Sequence, residues 1–393
     1  MSVLFTEGRI GILSISNRFV RSATAECLAS DDGRITEEYL RAYERLAKGG
    51  VGLIISGNMY INAIGKAIPR MLVIDKDEMI DDLSKVTQMV HQHGAKIVAQ
   101  LNHGGRQCDS KVLGIKTIAP SPVRYRLTFV KPREMSENEI EETIECFGEA
   151  ARRVKEAGYD GVQIHAAHGY LINQFLSGYT NRRSDRWGGS LENRMRFLIA
   201  VYHRIRSKVG TDYPILIKLN ADDFTKGGVT LVQCIGICMK LDEIGINAIE
   251  VSGGIAERGL HIIRGDLPID IALRDRNIIE RILIHLLKGS IRKESSFEES
   301  YFLTYAAEIK KHVDVPVIAV GGMRHRETME RALRDGQADY ISMCRPFIRQ
   351  PNLVNLLKKD DGYSISCTNC NRCTLEIASH YNPMKCYNSK SFS

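Results

Sequence analysis

The chain has 393 residues, 44% hydrophobic and 26% charged, which is enough for one large domain with an ordinary globular core. Its formal net charge of +7 is spread along the sequence instead of clustered, which argues against a nucleic-acid partner. No apolar stretch approaches the length of a membrane span and residues 1–4 carry no signal pattern, so with ten cysteines we expect a cytoplasmic protein without a membrane partner.

Short β-branched runs alternate along the chain with amphipathic stretches, a pattern typical of parallel βαβ units. The opening segment Leu4–Ile15 predicts a hairpin that caps the floor of the domain. Eight strands are then predicted at Phe19–Ala23, Val51–Ser56, Lys96–Gln100, Gly161–His165, Ile215–Leu219, Ala248–Val251, Val315–Val320 and Tyr340–Met343. The helices between them are predicted at Glu37–Lys48, Asp77–His93, Ser136–Ala157, Glu192–Val209, Thr230–Ile244, Tyr301–His312 and Glu327–Asp335.

This alternation predicts the α/β class and a single (β/α)8 TIM barrel, not an open doubly wound sheet. A dinucleotide-binding sheet needs Gly-x-Gly-x-x-Gly directly after its first strand, and the sequence has no such motif there. We expect the barrel at residues 1–360 and a cysteine-rich extension at residues 361–393. Residues 256–300 exceed the usual connection after a sixth strand, so they predict an insertion that serves as a lid or interface, with a helix at Asn277–Lys288.

Chemically active residues cluster at the predicted C-terminal ends of the strands, where TIM barrels build their active sites. His165, His168 and Tyr170 follow the fourth strand and place two imidazoles and a phenol within six residues. Arg345 and the glycines near the last two strands favour a phosphate-bearing cofactor. The remaining candidates on this rim are Ala23, Thr24, Ala25, Gly57, Gln100, Lys218, Gly321, Gly322 and Cys344.

The chain resembles the Old Yellow Enzyme family of FMN-dependent oxidoreductases over essentially its whole length. The motifs that carry the resemblance are Asn17-Arg18 with Ala23-Thr24, Gly49–Ile54, Gln100–Arg106, His165–Arg194 and Gly321-Gly322. The resemblance implies that FMN lies over the barrel mouth, with its flavin edge at Ala23, Thr24, Ala25, Gly57, Gln100 and His165. It also implies that Lys218 lies near the flavin N1 and C2 carbonyl, and that Gly321, Gly322, Cys344 and Arg345 take the phosphate.

The same resemblance implies an ene-reductase that uses NAD(P)H to reduce the flavin and an α,β-unsaturated carbonyl compound, an electrophilic alkene, as the hydride acceptor. His165 and His168 would hold the carbonyl oxygen, and Tyr170 would protonate the α-carbon. Two rivals stay open: another flavin reaction on this site (NADH oxidase, or amine or alcohol dehydrogenation) and a non-catalytic redox-sensing flavoprotein. The physiological substrate, the choice between NADH and NADPH, and the oligomeric state, with a homo-oligomer as one alternative, also stay open.

Two residues depart from the family pattern, and each bears on the flavin. Lys218 stands where many relatives carry arginine, which keeps the charge but loses the planar two-point fork. It also closes an apolar strand, and a buried ammonium without a partner is costly, so we expect a functional role for it. Ala25 stands where relatives often place Thr or Cys, and an alanine side chain cannot bond the flavin. We expect flavin binding to survive both changes, while the reduction potential, and hence the preferred substrate, stays open.

Four cysteines near the C-terminus, at positions Cys367, Cys370, Cys373 and Cys386, have the spacing of metal ligands. The spacing resembles that of the 2,4-dienoyl-CoA reductase and trimethylamine dehydrogenase branch of the same superfamily. That resemblance implies a [4Fe–4S] cluster. Zinc and free thiols remain the alternatives.

Overall fold

Eight parallel strands form a closed barrel in the computed structural model, which describes residues 2–108, 114, 116–258, 261–274, 278, 281–282, 289 and 295–388. They are β1 (Phe19–Arg21), β2 (Leu53–Ile55), β3 (Lys96–Asn102), β4 (Gly161–Ala166), β5 (Ile215–Asn220), β6 (Ala248–Ser252), β7 (Val317–Val320) and β8 (Tyr340–Met343). Each strand pairs with the next, and β8 pairs with β1 to close the ring. The predicted (β/α)8 barrel is confirmed.

The pairing register brings polar residues of adjacent strands side by side inside the barrel. Gln100 on β3 pairs with Gln163 on β4, and His165 on β4 pairs with Lys218 on β5. Lys218 in turn pairs with Glu250 on β6. Since residues that pair in a parallel sheet point to the same face, this register builds one polar layer at the upper end of an otherwise apolar barrel.

Helices surround the barrel and fill most of the connections between its strands. Those within the described residues are α1 (Glu37–Lys48), α2 (Ile80–Gln92), α3 (Glu137–Glu156), α4 (Leu171–Leu176), α5 (Leu191–Val209), α6 (Leu231–Glu243), α7 (Ile269–Ala272), α8 (Leu303–Lys310), α9 (Arg326–Arg334), α10 (Arg345–Arg349), α11 (Leu353–Lys359) and α12 (Arg372–His380). The Ser136 side chain and Glu139 cap the start of α3 reciprocally. Each long helix buries one apolar stripe against the strands.

The N-terminal hairpin closes the floor of the barrel, as predicted from Leu4–Ile15. Its strands, Gly8–Ile10 and Leu13–Ile15, pair antiparallel. Its apolar side chains pack against Val20, Val98 and other residues at the lower end of the barrel. The hairpin therefore seals the end of the barrel opposite the polar layer.

The insertion after β6 and the C-terminal extension pack against each other. Leu267 and Ile271 of the insertion form a small apolar cluster with Leu375 of α12. The extension also reaches the barrel, because the Met384 N–H donates to the Glu26 carbonyl oxygen at 2.7 Å. The helix predicted at Asn277–Lys288 lies almost wholly outside the described residues. Over the described ranges no helix combines the length and hydropathy that a bilayer crossing requires.

Candidate active site

One cavity opens at the C-terminal ends of the barrel strands, and all but one of the predicted catalytic and flavin-site residues line it. The space between its walls, with its open mouth included, is about 1180 Å³. The predicted residues that line it are Ala23, Thr24, Ala25, Gln100, His165, His168, Tyr170, Lys218, Gly321, Gly322, Cys344 and Arg345. The residues that sequence reasoning missed in the lining include Ser22, Asn58, Gln107, Tyr301 and Ser342.

Gly57 is the predicted flavin-edge residue that does not line this cavity. Its N–H donates to the Tyr43 hydroxyl at 2.7 Å, and a Cβ added at this position would collide with the Glu26 carboxylate. The next residue, Asn58, faces the cavity instead. A strand-end prediction that is one residue out of phase selects the wrong side chain, because successive residues of an extended chain point in opposite directions.

His165 ends β4 and presents one defined nitrogen to the cavity. Its Nδ1 accepts the Ala167 N–H at 3.3 Å, and its side chain is almost fully buried. Burial, the neighbouring His168 and the Lys218 ammonium keep the pKa of the imidazole well below its usual value of 6.5. A neutral imidazole that accepts at Nδ1 carries its proton on Nε2, so His165 offers an Nε2–H donor at physiological pH.

His168 is held in an uncommon backbone conformation by contacts on several sides. Its φ is +62°, which non-glycine residues rarely adopt. Its N–H donates to Asn220 Oδ1 at 3.1 Å, and its carbonyl accepts from Gln107 Nε2 at 2.8 Å. The imidazole Nε2 lies 2.7 Å from Ser252 Oγ, and burial lowers its pKa to about 3. Both histidine rings are therefore neutral groups of fixed orientation.

Tyr170 completes the group as a partly buried, protonated phenol. Its ring meets the His165 ring edge-on, with 4.8 Å between centroids. Burial raises the pKa of the phenol above its usual value of 10, and a hydrogen bond with Asn58 partly offsets that effect. The phenol therefore keeps its proton over the physiological range, as a proton donor to a bound molecule must.

Lys218 is next to His165 in the sheet register and lines the same cavity, and its ammonium has a partner. Nζ donates to Ser22 Oγ at 2.8 Å and lies 3.2 Å from Glu250 Oε2. Both side chains of the ion pair are buried. The positive charge at this part of the cavity therefore belongs to an ion pair.

Two glycines and an arginine line the cavity after β7 and β8. Gly321 and Gly322 have φ values of 109° and 73°, and a Cβ at either would lie within 2.8 Å of the Tyr301 ring. Only glycine therefore fits the turn after β7. Arg345 opens the short helix α10, and its guanidinium donates to the Arg264 carbonyl at 3.0 Å and to the Asn371 side chain. It joins the cavity to both the insertion and the C-terminal extension.

The four C-terminal cysteines line one small second cavity, which adjoins the first. Arg345 lines both, and the Arg349 guanidinium donates to Cys386 Sγ at 3.3 Å. The second cavity is lined by Cys367, Cys370, Cys373 and Cys386 together. No three His, Cys, Asp or Glu side chains of the described residues are arranged to hold a single metal ion. A mononuclear zinc site would bring its four sulfurs to within about 4 Å of each other.

Buried histidines predict a loss of stability in mild acid. His103 and His165 are 1% and 4% exposed, and burial lowers the pKa of His103 to about 3 and that of His165 well below 6.5. The unfolded chain protonates both imidazoles near pH 6.5 while the folded chain does not, so stability falls as the pH drops through 6.5. We expect the two to lower the free energy of unfolding by about 3 kcal/mol between pH 7.5 and 5.5.

Urea denaturation at the two pH values measures this difference. His103→Asn should reduce the loss by about 1.4 kcal/mol. The same change at His203, which is exposed on α5, should leave the pH dependence as it is. An unfolding free energy that does not change between pH 7.5 and 5.5 would contradict the prediction.

Comparisons with known proteins identify the relatives of this chain. The sequence profile of the NADH:flavin oxidoreductase / NADH oxidase family matches residues 3–258 and 274–361. An NADH oxidase of Thermoanaerobacter brockii is 38% identical over 371 residues, which cover 94% of this chain and 52% of that protein. A cinnamate reductase of Clostridium sporogenes is 32% identical over 91% of this chain and 53% of its own length. The chain thus spans about half the length of several curated relatives that it matches.

Solved structures show the same barrel. A 2-naphthoyl-CoA reductase in complex with 2-naphthoyl-CoA superimposes with a TM-score of 0.85 at 27% identity, covering 98% of this chain and 56% of that one. An Old Yellow Enzyme homologue from Zymomonas mobilis gives a TM-score of 0.72 at 27% identity, covering 91% and 92% of the two chains.

Proposed function

The chain belongs to the NADH:flavin oxidoreductase / NADH oxidase family, and on that premise we propose that it binds FMN, is reduced by NAD(P)H and reduces activated C=C bonds of α,β-unsaturated carbonyl compounds. The observation that carries the proposal is the group of His165, His168 and Tyr170 in one cavity with Lys218, which lies next to His165 in the sheet register. Two neutral donors and a phenol suit the oxygen of a carbonyl substrate.

The distribution of polar groups in the cavity suits FMN. An ammonium and an amide, from Lys218 and Gln100, line it at β5 and β3, while Arg345 and the glycine turn line it after β8 and β7. The ammonium and the amide match a polar heteroaromatic ring, and the guanidinium with the glycine turn matches a phosphate. When bound, FMN supplies the hydride that it has taken from NAD(P)H.

The chain's own residues then activate the substrate and deliver a proton. The Nε2–H of His165 donates to the carbonyl oxygen, and the His168 imidazole, oriented by Ser252, lies beside it. Negative charge that develops on this oxygen is stabilised by donors that are already in place, so no reorganisation is required. Tyr170 holds the proton for the adjacent carbon, and Asn58 fixes its hydroxyl. The cinnamate reductase relative supports this substrate class, because cinnamate carries a conjugated C=C bond.

Two measurements test the proposal. The absorption spectrum of the pure protein should show flavin bands, and a colourless protein that takes up no FMN would overturn it. Under anaerobic conditions, addition of an enone should sustain the oxidation of NAD(P)H. If only O₂ sustains it, the NADH oxidase rival is correct.

We also propose that residues 361–393 form a distinct extension whose four cysteines bind a [4Fe–4S] cluster. All four line one cavity, and the described residues lack the closer arrangement that zinc requires. Free thiols suit the redox-sensing rival poorly, because burial raises the pKa of Cys373 to about 12 and that of Cys367 above its usual value. A reactive sensor thiol needs a lowered pKa.

Substitution of one ligand should remove the cluster. We expect protein purified without oxygen to hold about four irons per chain and Cys370→Ser to hold far fewer, because a cluster needs its four thiolates. Iron and acid-labile sulfide analysis measures this. Cys146→Ser, on helix α3 away from the extension, is the matched control and should keep its iron. Iron-free wild-type protein would contradict the proposal.

A further inference from the structure

Glu250 is a buried carboxylate inside the barrel to which sequence reasoning assigned no role. It lies on β6 with no exposed surface, and it does not line the cavity. Its Oε1 accepts from Ser22 Oγ at 2.7 Å and from Ser342 Oγ at 2.8 Å. Its Oε2 accepts from Gln163 Nε2 at 2.9 Å and lies 3.2 Å from Lys218 Nζ. Four different parts of the barrel therefore converge on one carboxylate.

The carboxylate determines the orientation of a side chain that faces the cavity. An ionised carboxylate only accepts hydrogen bonds, so Gln163 must turn its Nε2 toward Glu250. The Oε1 of Gln163 is then left for Gln100, whose Nε2 donates to it at 2.6 Å. The side-chain Oε1 of Gln100 and the second N–H of its Nε2 then remain for a molecule in the cavity. The orientation of the Gln100 amide thus depends on Glu250, two hydrogen bonds away.

The same carboxylate acts on Lys218 from behind. Lys218 and Ser22 line the cavity, whereas Glu250 does not, so the cation of the pair faces the cavity and the anion lies beneath it. The Ser22 hydroxyl donates to Glu250 and accepts from Lys218, which ties the ammonium to its position. At about 3 Å the two charges largely cancel for a group that lies farther away.

We propose that Glu250 is a positioning residue of the flavin site: it orients Lys218 and Gln100 and makes the reduction potential of the bound flavin more negative than Lys218 alone would set it. Reduction adds negative charge to the flavin, so a nearby cation favours the reduced form and a nearby anion disfavours it. The Lys218–Glu250 pair therefore holds the ammonium donor in a fixed position, and the carboxylate reduces the positive charge that acts on the flavin. This inference rests on the proposed binding of FMN.

Glu250→Gln tests it, because the substitution keeps the size of the side chain and removes its charge. We expect the midpoint potential of bound FMN to shift to more positive values, and the dissociation constant of sulfite, which adds to electron-poor flavins, to fall by about tenfold or more. Glu250→Asp, which keeps the charge, should return the potential toward that of the wild type. Glu257→Gln removes a different buried carboxylate, paired with Arg106, and should leave the potential unchanged.

Each result has a separate meaning. Wild-type protein without FMN would overturn the proposed function, whereas bound FMN of equal potential in wild type and Glu250→Gln would overturn only the role of Glu250. If Glu250→Gln does not fold, Lys218→Met/Glu250→Gln, which leaves no unpaired buried charge, is compared with Lys218→Met. A more positive potential in the double variant supports the inference, and equal potentials overturn it.

Discussion

Replacement of Tyr170 by phenylalanine should slow the turnover of an unsaturated carbonyl substrate by about 10²–10⁴-fold, the usual effect of removing a positioned proton donor. The phenol lies against the His165 ring and hydrogen-bonds with Asn58, so its proton is held next to the group that would bind the carbonyl oxygen. Phenylalanine keeps the ring and its packing. Only the proton donor is lost.

The two half-reactions separate this role from a structural one. In rapid-mixing experiments NAD(P)H should reduce the flavin of Tyr170→Phe at the wild-type rate, while reoxidation by an enone should be slow. Because burial raises the pKa of Tyr170 above 10, the wild-type rate should not decline as the pH rises from 7 to 9. A wild-type reoxidation rate in the variant would show that the proton comes from another group.

Tyr125→Phe is the matched control. Tyr125 is buried, and it lies close enough to Tyr170 for their charges to interact, but it does not line the cavity. Loss of its hydroxyl should leave both half-reactions within about threefold of the wild type. Equal losses in the two variants would indicate a packing defect in this region of the protein and not a missing proton.

The fold could be predicted from the sequence because its signals are local and repeated. Each strand is a short apolar run followed by a helix, and closure into a barrel follows from the number of strands. The boundaries were less accurate, because tertiary contacts decide them. The run Val51–Ser56 forms a strand only over Leu53–Ile55, and β3 continues past the predicted Gln100 to Asn102, where it pairs with Met59 and Tyr60.

The site was predictable where function leaves a local motif, as at His165–Tyr170. Glu250 has no such local motif, because the role of a single acidic residue in a buried strand depends on its hydrogen-bond and ion-pair partners on other strands. Lys218 is adjacent to it only through the sheet register, and Ser22 is more than two hundred residues away in the chain. At Gly57 the sequence does offer a signal, a glycine at a strand end. This glycine leaves room for the Glu26 side chain and does not line the cavity.

His165→Ala is expected to lower the turnover number by about 10²–10³-fold, the effect of removing one fixed donor from a developing oxyanion. The structure singles out this imidazole because its Nδ1 is occupied by the Ala167 N–H, so its Nε2–H is committed to the cavity. His165→Asn, whose amide is also a donor, should recover part of the loss.

The protonation state of His165 gives this prediction a second, independent readout. Burial, His168 and Lys218 all lower the pKa of the imidazole, so it should stay neutral throughout the range in which the protein is folded. The wild-type rate with an enone should therefore show no step between pH 6 and 8, and His165→Asn should have the same flat profile at a lower rate. A step near pH 6.5 that His165→Asn abolishes would mean that the substrate oxygen is bound by an imidazolium, and the neutral-donor mechanism would have to be abandoned.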